Sequence, residues 1–240
     1  MASPSSGHSN VLRPKTEKRR RGRPTRNAQP LSRKKVLKGS LALLDKKGLT
    51  ALSMRKLALA MGVTPMALYN HFASKDELLD AVHEAVLLDA PLPRIGAKTP
   101  WKQAATEIAR TLRCRLRAHP HALLLFATRP VRTEAILKVV DNFLGQLLAA
   151  GFSACLALYA FDGIVVFTVG HALAEFGISP VAAPERDGSD LRSRQEALTR
   201  AGLIHLPRVL AATLPHNYDT EFESGLRALL DGFDLQRRSR

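Results

Sequence analysis

The chain has 240 residues, of which 45% are hydrophobic, and a formal net charge of +15. That is enough apolar material for a buried core in one large domain or two small ones, and the charge points to a polyanionic partner. Two cysteines, Cys114 and Cys155, stand 41 positions apart. They exclude a cysteine-cluster zinc site and a disulfide framework and fit a reducing compartment; both are expected as small buried hydrophobes on helices. No apolar run reaches the roughly 18 residues a membrane span needs, and the basic N-terminus lacks an apolar signal core.

The charge is uneven. Residues 1–38 hold twelve Lys/Arg against one acid, Glu17, so a basic arm precedes a nearly neutral body. Residues 1–30 are rich in Ser, Pro, Gly, Arg and Lys and cannot bury enough surface to offset their ordering entropy, which predicts a disordered arm. Within it, Arg19 to Pro24 contains an Arg-Gly-Arg-Pro core similar to an AT-hook, in which Arg23 would enter a narrow A·T minor groove. A solvated tail touching phosphates without sequence preference is the alternative.

A first helix is predicted over 32–47, with Val36, Leu37, Leu41 and Leu44 as its stripe and Gly48 ending it. Ser53 caps a second helix, closed by Gly62, where a left-handed residue costs glycine little. Thr64 and Pro65 open a short third helix to Phe72. Ser74, with Glu77 three residues on, opens a fourth in capping-box spacing, which must stop near Pro91. Helix, glycine turn and short helix make a helix-turn-helix, whose second helix enters the DNA major groove.

Thr99-Pro100 repeats the cap-then-proline signal for a helix over 101–119. A short helix follows at 122–128. Pro130 is expected to open a long helix to Ala150, and Ser153 caps another to Phe176 that is apolar nearly all round and so expected to be buried on all sides. Residues 178–190 read as a mobile loop. Helices at 203–214 and 219–233 complete the chain. No strand alternation occurs, so the fold class is all α. Asp162 and His171, inside the apolar helix, would be costly if buried unpaired; they are expected to pair across the dimer or face the cavity, a satisfied structural role being the plainer reading. His119-Pro120-His121 is too short to hold a metal alone.

Leu68-Tyr69-Asn70-His71-Phe72 followed by Ser74-Lys75 and Leu78-Leu79 resembles the DNA-binding domain of TetR-family repressors. Trp101, Arg113-Cys114, His119, Thr128-Arg129-Pro130, Gly151-Phe152-Ser153, Leu158-Tyr159-Ala160 and Phe167-Thr168-Val169-Gly170 are similar, in order and spacing, to the C-terminal domain of the tetracycline repressor branch. The resemblance implies a three-helix helix-turn-helix DNA-binding domain at 31–90 and a helical bundle for ligand binding and dimerisation at 91–240. It also implies a homodimer built on the two long helices and the last one, a bacterial cytoplasmic protein, nucleoid-associated when bound, and no enzyme. In that branch a histidine three positions before Thr-Arg-Pro helps hold magnesium-tetracycline; here Leu125 stands there, and other drug contacts align with Pro91, Ile108 and Leu112. An aliphatic side chain cannot ligate a hard cation. The expectation is therefore no metal, no cofactor, and a small apolar or amphipathic effector.

Thr64, Met66, Ala67, Asn70 and His71 form the expected base-reading face, with Asn70 suited to an adenine edge and Ala67 to a thymine methyl. Arg55, Tyr69 and Lys75 suit phosphate. Candidate pocket residues are Leu112, Leu116, Leu125, Phe126, Thr128, Arg129, Asp141, Leu144, Phe161, Ile164, Val165 and Thr168. Arg129 is read either as facing a ligand anion or as pairing Asp141 or Glu134. The function expected is a repressor that binds a palindromic double-stranded operator as a homodimer and is released by its effector. The competing reading is an architectural DNA-binding protein dominated by the arm. A nucleophile elbow, phosphate loop, paired-carboxylate site and metal triad are all missing from the sequence.

Overall fold

Side-chain caps set most helix starts. In the computed structural model, Ser32 Oγ accepts from Lys35 N, Ser53 Oγ from Lys56 N, and Ser74 Oγ from Glu77 N, opening α1 (Arg33–Lys47), α2 (Met54–Met61) and α4 (Lys75–Leu87). Thr64 caps the short α3 (Pro65–Tyr69) with Pro65 at its first position. Each cap satisfies an N–H that the first helical turn leaves open. The structure describes residues 30–89, 91–93, 95–96, 98–176, 196–212 and 217–239. The arm with Arg23 and the expected loop at 178–190 lie outside the described residues, and no strand occurs among those described.

The body comprises α5 (Trp101–Ala118), α6 (Leu123–Thr128), α7 (Glu134–Ala149), α8 (Ala154–Glu175), α9 (His205–Ala212) and α10 (Tyr218–Arg238). Residues 31–240 form one compact unit. Two starts differ from the sequence reading. Thr99 does not cap α5; its hydroxyl accepts from Gly96 N, and Pro100 takes the cap position. Pro130 does not open α7. Arg129, just before it, is extended at φ −127° and ψ 130°, as a residue preceding proline prefers. The helix begins only after Thr133, and Arg132 N donates to Glu84 Oε1 at 3.1 Å, tying the extended segment to α4.

Three apolar clusters fill the interior. The first joins α1–α4 around Leu44, Leu57, Leu68, Phe72 and Val82. The second joins α5, α7, α8 and α10 around Phe143, Leu147, Ile164 and Phe222. The third gathers Leu87, Leu112, Leu116, Leu123 and Ile136. Helix α6 divides between them: Leu125 is buried in the first cluster and Leu123 in the third, while Phe126 packs against both.

By length and composition helix α8 could cross a membrane, although Asp162, Thr168 and His171 interrupt its apolar run. Its packing along α5, α7 and α10 gives that apolarity another cause. Nor is it buried on all sides: Tyr159 is 63% and Val166 69% exposed in the single subunit, with Leu158 and Asp162 also outward. Asp162 therefore bears no burial cost within the subunit. His171 lies near acids of its own chain, 3.4 Å from Glu221 on α10 and 3.9 Å from Glu175, while burial pushes its imidazole toward the neutral form. Arg113 completes this junction, bridging Glu175 at 3.0 Å and Asp219 at 2.7 Å. Both cysteines are exposed rather than buried.

Gly225 lets α10 approach α8 closely, since a Cβ there would lie 2.8 Å from the Phe167 ring. Overpacking such a site costs about 1–3 kcal/mol. Gly225→Val is expected to lose that much in denaturant unfolding.

Candidate nucleic-acid interface and effector cavity

The reading head is set by its turn. Gly62 takes the left-handed conformation at φ 67° and ψ 29°, and Val63 N donates to Ala58 O at 3.0 Å. This closes α2 and aims α3 outward. Leu68 and Phe72 anchor α3 in the core. Thr64, Met66, Tyr69 and Asn70 are exposed, and Ala67 and His71 half-buried. Arg55 and Lys75, in the first turns of α2 and α4, are exposed as well. The expected base-facing and phosphate-facing residues are thus all exposed or half-buried, none of them in the core.

Arg33 fixes the corner behind it. Its Nη1 donates to His71 O at 2.6 Å and to Glu77 Oε1 at 2.8 Å, and its guanidinium lies 4.1 Å from the Phe72 ring centroid. Glu77 Oε2 also accepts from Ala73 N at 2.7 Å. That N–H, followed by Arg33, holds the Glu77 carboxyl below the usual carboxylate range.

Behind the head, α4–α8 enclose a cavity of about 210 Å³. Leu112, Phe126, Arg129, Phe161 and Val165 line it, together with Ile108. The other sequence candidates lie elsewhere. Leu116 and Ile164 are core, and Leu144 packs against the second cluster. Leu125, 1% exposed, is in the first cluster. The buried Thr168 spends its hydroxyl on Ile164 O, and the exposed Thr128 on Leu124 O. Asp141 is exposed. Arg129 pairs with neither Asp141 nor Glu134. It reaches α4 instead, where Nη2 meets Asp76 Oδ1 at 2.8 Å and Nη1 meets Asp80 Oδ1 and the Asp76 carbonyl. Those carboxylates, Asp76 first, stabilise its charged form.

Sequence reasoning missed His83, Leu87, Leu92, Thr111, Arg115 and Ile136 at the wall. One signal was available: His83 interrupts the stripe Leu79–His83–Leu87 at a spacing of one turn. A magnesium ion does not fit this cavity. The position the resemblance assigns to a metal ligand holds Leu125, which faces away into the core, and among the described residues the wall offers no carboxylate.

A helix-turn-helix set on a cavity-bearing helical body defines an effector-responsive DNA-binding regulator. The model for bacterial regulatory proteins of the tetR family matches residues 36–82, and the tetracyclin repressor-like C-terminal domain matches residues 92–237. The tetracycline repressor protein class A from transposon 1721 of Escherichia coli is 34% identical over 206 residues, 84% of this chain and 90% of that protein. Among solved structures, a possible TetR family transcriptional regulator from Streptomyces coelicolor A3(2) is similar at a TM-score of 0.67 and 31% identity, covering 87% of this chain and 100% of the other. The Streptomyces coelicolor TetR family protein ActR in complex with actinorhodin gives a TM-score of 0.72 at 25% identity, covering 87% and 99%. The chain belongs to the TetR family of transcriptional regulators.

We propose that Lys75 meets phosphate and Asn70 a base edge. Lys75→Ala should weaken binding to all DNA sequences and lower the salt slope by about one, whereas Asn70→Ala should relax preference at one base position. Salt-titrated binding to selected and random duplexes checks this; equal losses on both duplexes for both variants would contradict it.

Proposed function

We propose that this chain is a ligand-released repressor that binds a palindromic operator as a homodimer through residues 31–90 and senses a small effector through residues 91–240. The observation that carries this reading is Arg129, which borders the cavity while gripping the helix behind the reading head. His83 and Leu87 bring α4 itself to the cavity wall. An occupant of the cavity therefore bears on the helix that positions α3. The effect on DNA cannot exceed the effector's differential affinity for the two states. Relatives solved with actinorhodin or with tetracycline-type molecules support a small organic effector of some kind for this chain. Its work is binding rather than catalysis, in the bacterial cytoplasm and on the nucleoid when bound to DNA.

The exposed stripe on α8, with Leu235 outward on α10, suits a second copy, which would space two recognition helices roughly 34–36 Å apart. An architectural role is the competing reading and would rest on the arm. Selection from a random DNA library, with full-length protein and with a chain starting at Gln29, separates the two. The same palindrome is expected from both. Loss of selectivity in the shortened chain would assign reading to the arm. Effector release is expected to be unchanged by a chelator.

A further inference from the structure

Two nitrogen-bearing side chains at the cavity wall have no role in gripping α4. His83 is 1% exposed, its ring sits edge-on to Phe126 with centroids 4.6 Å apart, and its Nδ1 is buried without a hydrogen-bond partner. A buried polar atom left so costs its desolvation. Arg115, 6% exposed, borders the same cavity and donates to Pro91 O at 3.1 Å. Burial pushes both the His83 imidazole and the Arg115 guanidinium toward their neutral forms.

Asp89 lies near Arg115 and favours its charged form, whereas the acids near His83 are engaged by other groups. Asp80 and Glu84 lie near His83 on its own helix, but Arg129 takes Asp80 and the Arg132 main chain takes Glu84. Leu87, Leu112, Ile136, Phe161 and Val165 make most of the remaining wall apolar, and no carboxylate lines it among the described residues. At about 210 Å³ the cavity is smaller than the roughly 300–1,000 Å³ of drug-sized ligand sites, so it suits a compact molecule.

We propose that the effector is a compact organic acid whose apolar body fills the cavity and whose anionic group accepts a hydrogen bond from His83 and faces Arg115. This rests on the cavity being the effector site. An anion would satisfy the orphaned ring nitrogen of His83 and add to the partners that Arg115 already has, Pro91 O and the nearby Asp89. A neutral molecule of the same shape brings no charge to Arg115, and an amide carbonyl could make only an uncharged, weaker hydrogen bond to His83.

The test is calorimetric titration of the full-length protein with naphthalene-carboxylate and with naphthalene-carboxamide, which share one fused-ring body and differ in charge. The acid is expected to bind at least about 10-fold more tightly, the scale of one charge-assisted hydrogen bond. His83→Phe, which keeps a ring against Phe126, and Arg115→Met should each cut that preference to about 3-fold or less, with acid affinity falling more than amide affinity in each. A histidine that only packs would leave the preference unmoved. His83→Gln, which retains a donor, should keep part of it and serves if His83→Phe does not fold. Equal affinity for the two probes, binding of neither, or a preference unchanged in both variants would overturn the proposal, and the wild-type comparison decides even without the variants. These titrations contain no DNA. A protein that prefers the acid but never leaves its operator would reject the repressor reading and retain this one.

Discussion

The ion-pair clamp of Arg129 on Asp76 and Asp80 is the constraint on which the rest of the arrangement depends. It sits at the only place where a cavity-lining side chain described here also holds the first turns of α4. Helix α4, capped by Ser74, begins directly after the recognition segment and ends among the cavity residues His83 and Leu87. A rigid helix held at both ends transmits displacement, because packed interfaces switch between discrete arrangements rather than deform smoothly.

Helix α6 strengthens this connection. Only six residues long, it puts Leu125 into the core of the reading head and Leu123 into the core of the sensor, with Phe126 against both and against His83. His119, just before it, lies 3.0 Å from Asp45 on α1 and 3.4 Å from Asp89 beyond α4. Neither part can shift without repacking the other. The α5–α8–α10 junction is braced separately, by Arg113, Glu175 and Asp219. Asp219 is held below the usual carboxylate range by Arg113 first and Arg117 second.

Local chemistry was legible in the sequence. Ser53, Thr64, Ser74 and Ser153 all cap where their residue types suggest, because a cap is decided within four residues. The turn at Gly62 follows for the same reason. The cavity was only partly legible, since its lining depends on how helices cross. Leu112, Phe126, Phe161 and Val165 reach it, while Leu116, Ile164 and Thr168, one turn away or less, do not. The outward stripe of α8 left no trace, because a helix apolar on every face carries no period to read. Arg129 was singled out for its charge, but its partners lie 49 and 53 positions earlier in the chain, beyond the reach of spacing arguments.

The most direct measurement is the separation of the two recognition helices in the dimer. Spin labels at Met66→Cys, in a background where the exposed Cys114 and Cys155 are serine, report it by double electron–electron resonance. If Arg129 sets the position of the reading head, the parent protein gives a narrow distribution near one DNA turn, roughly 34–36 Å between half-site centres, and Arg129→Gln broadens or displaces it. Superimposable distributions in the two proteins would contradict the coupling of cavity to DNA through this residue.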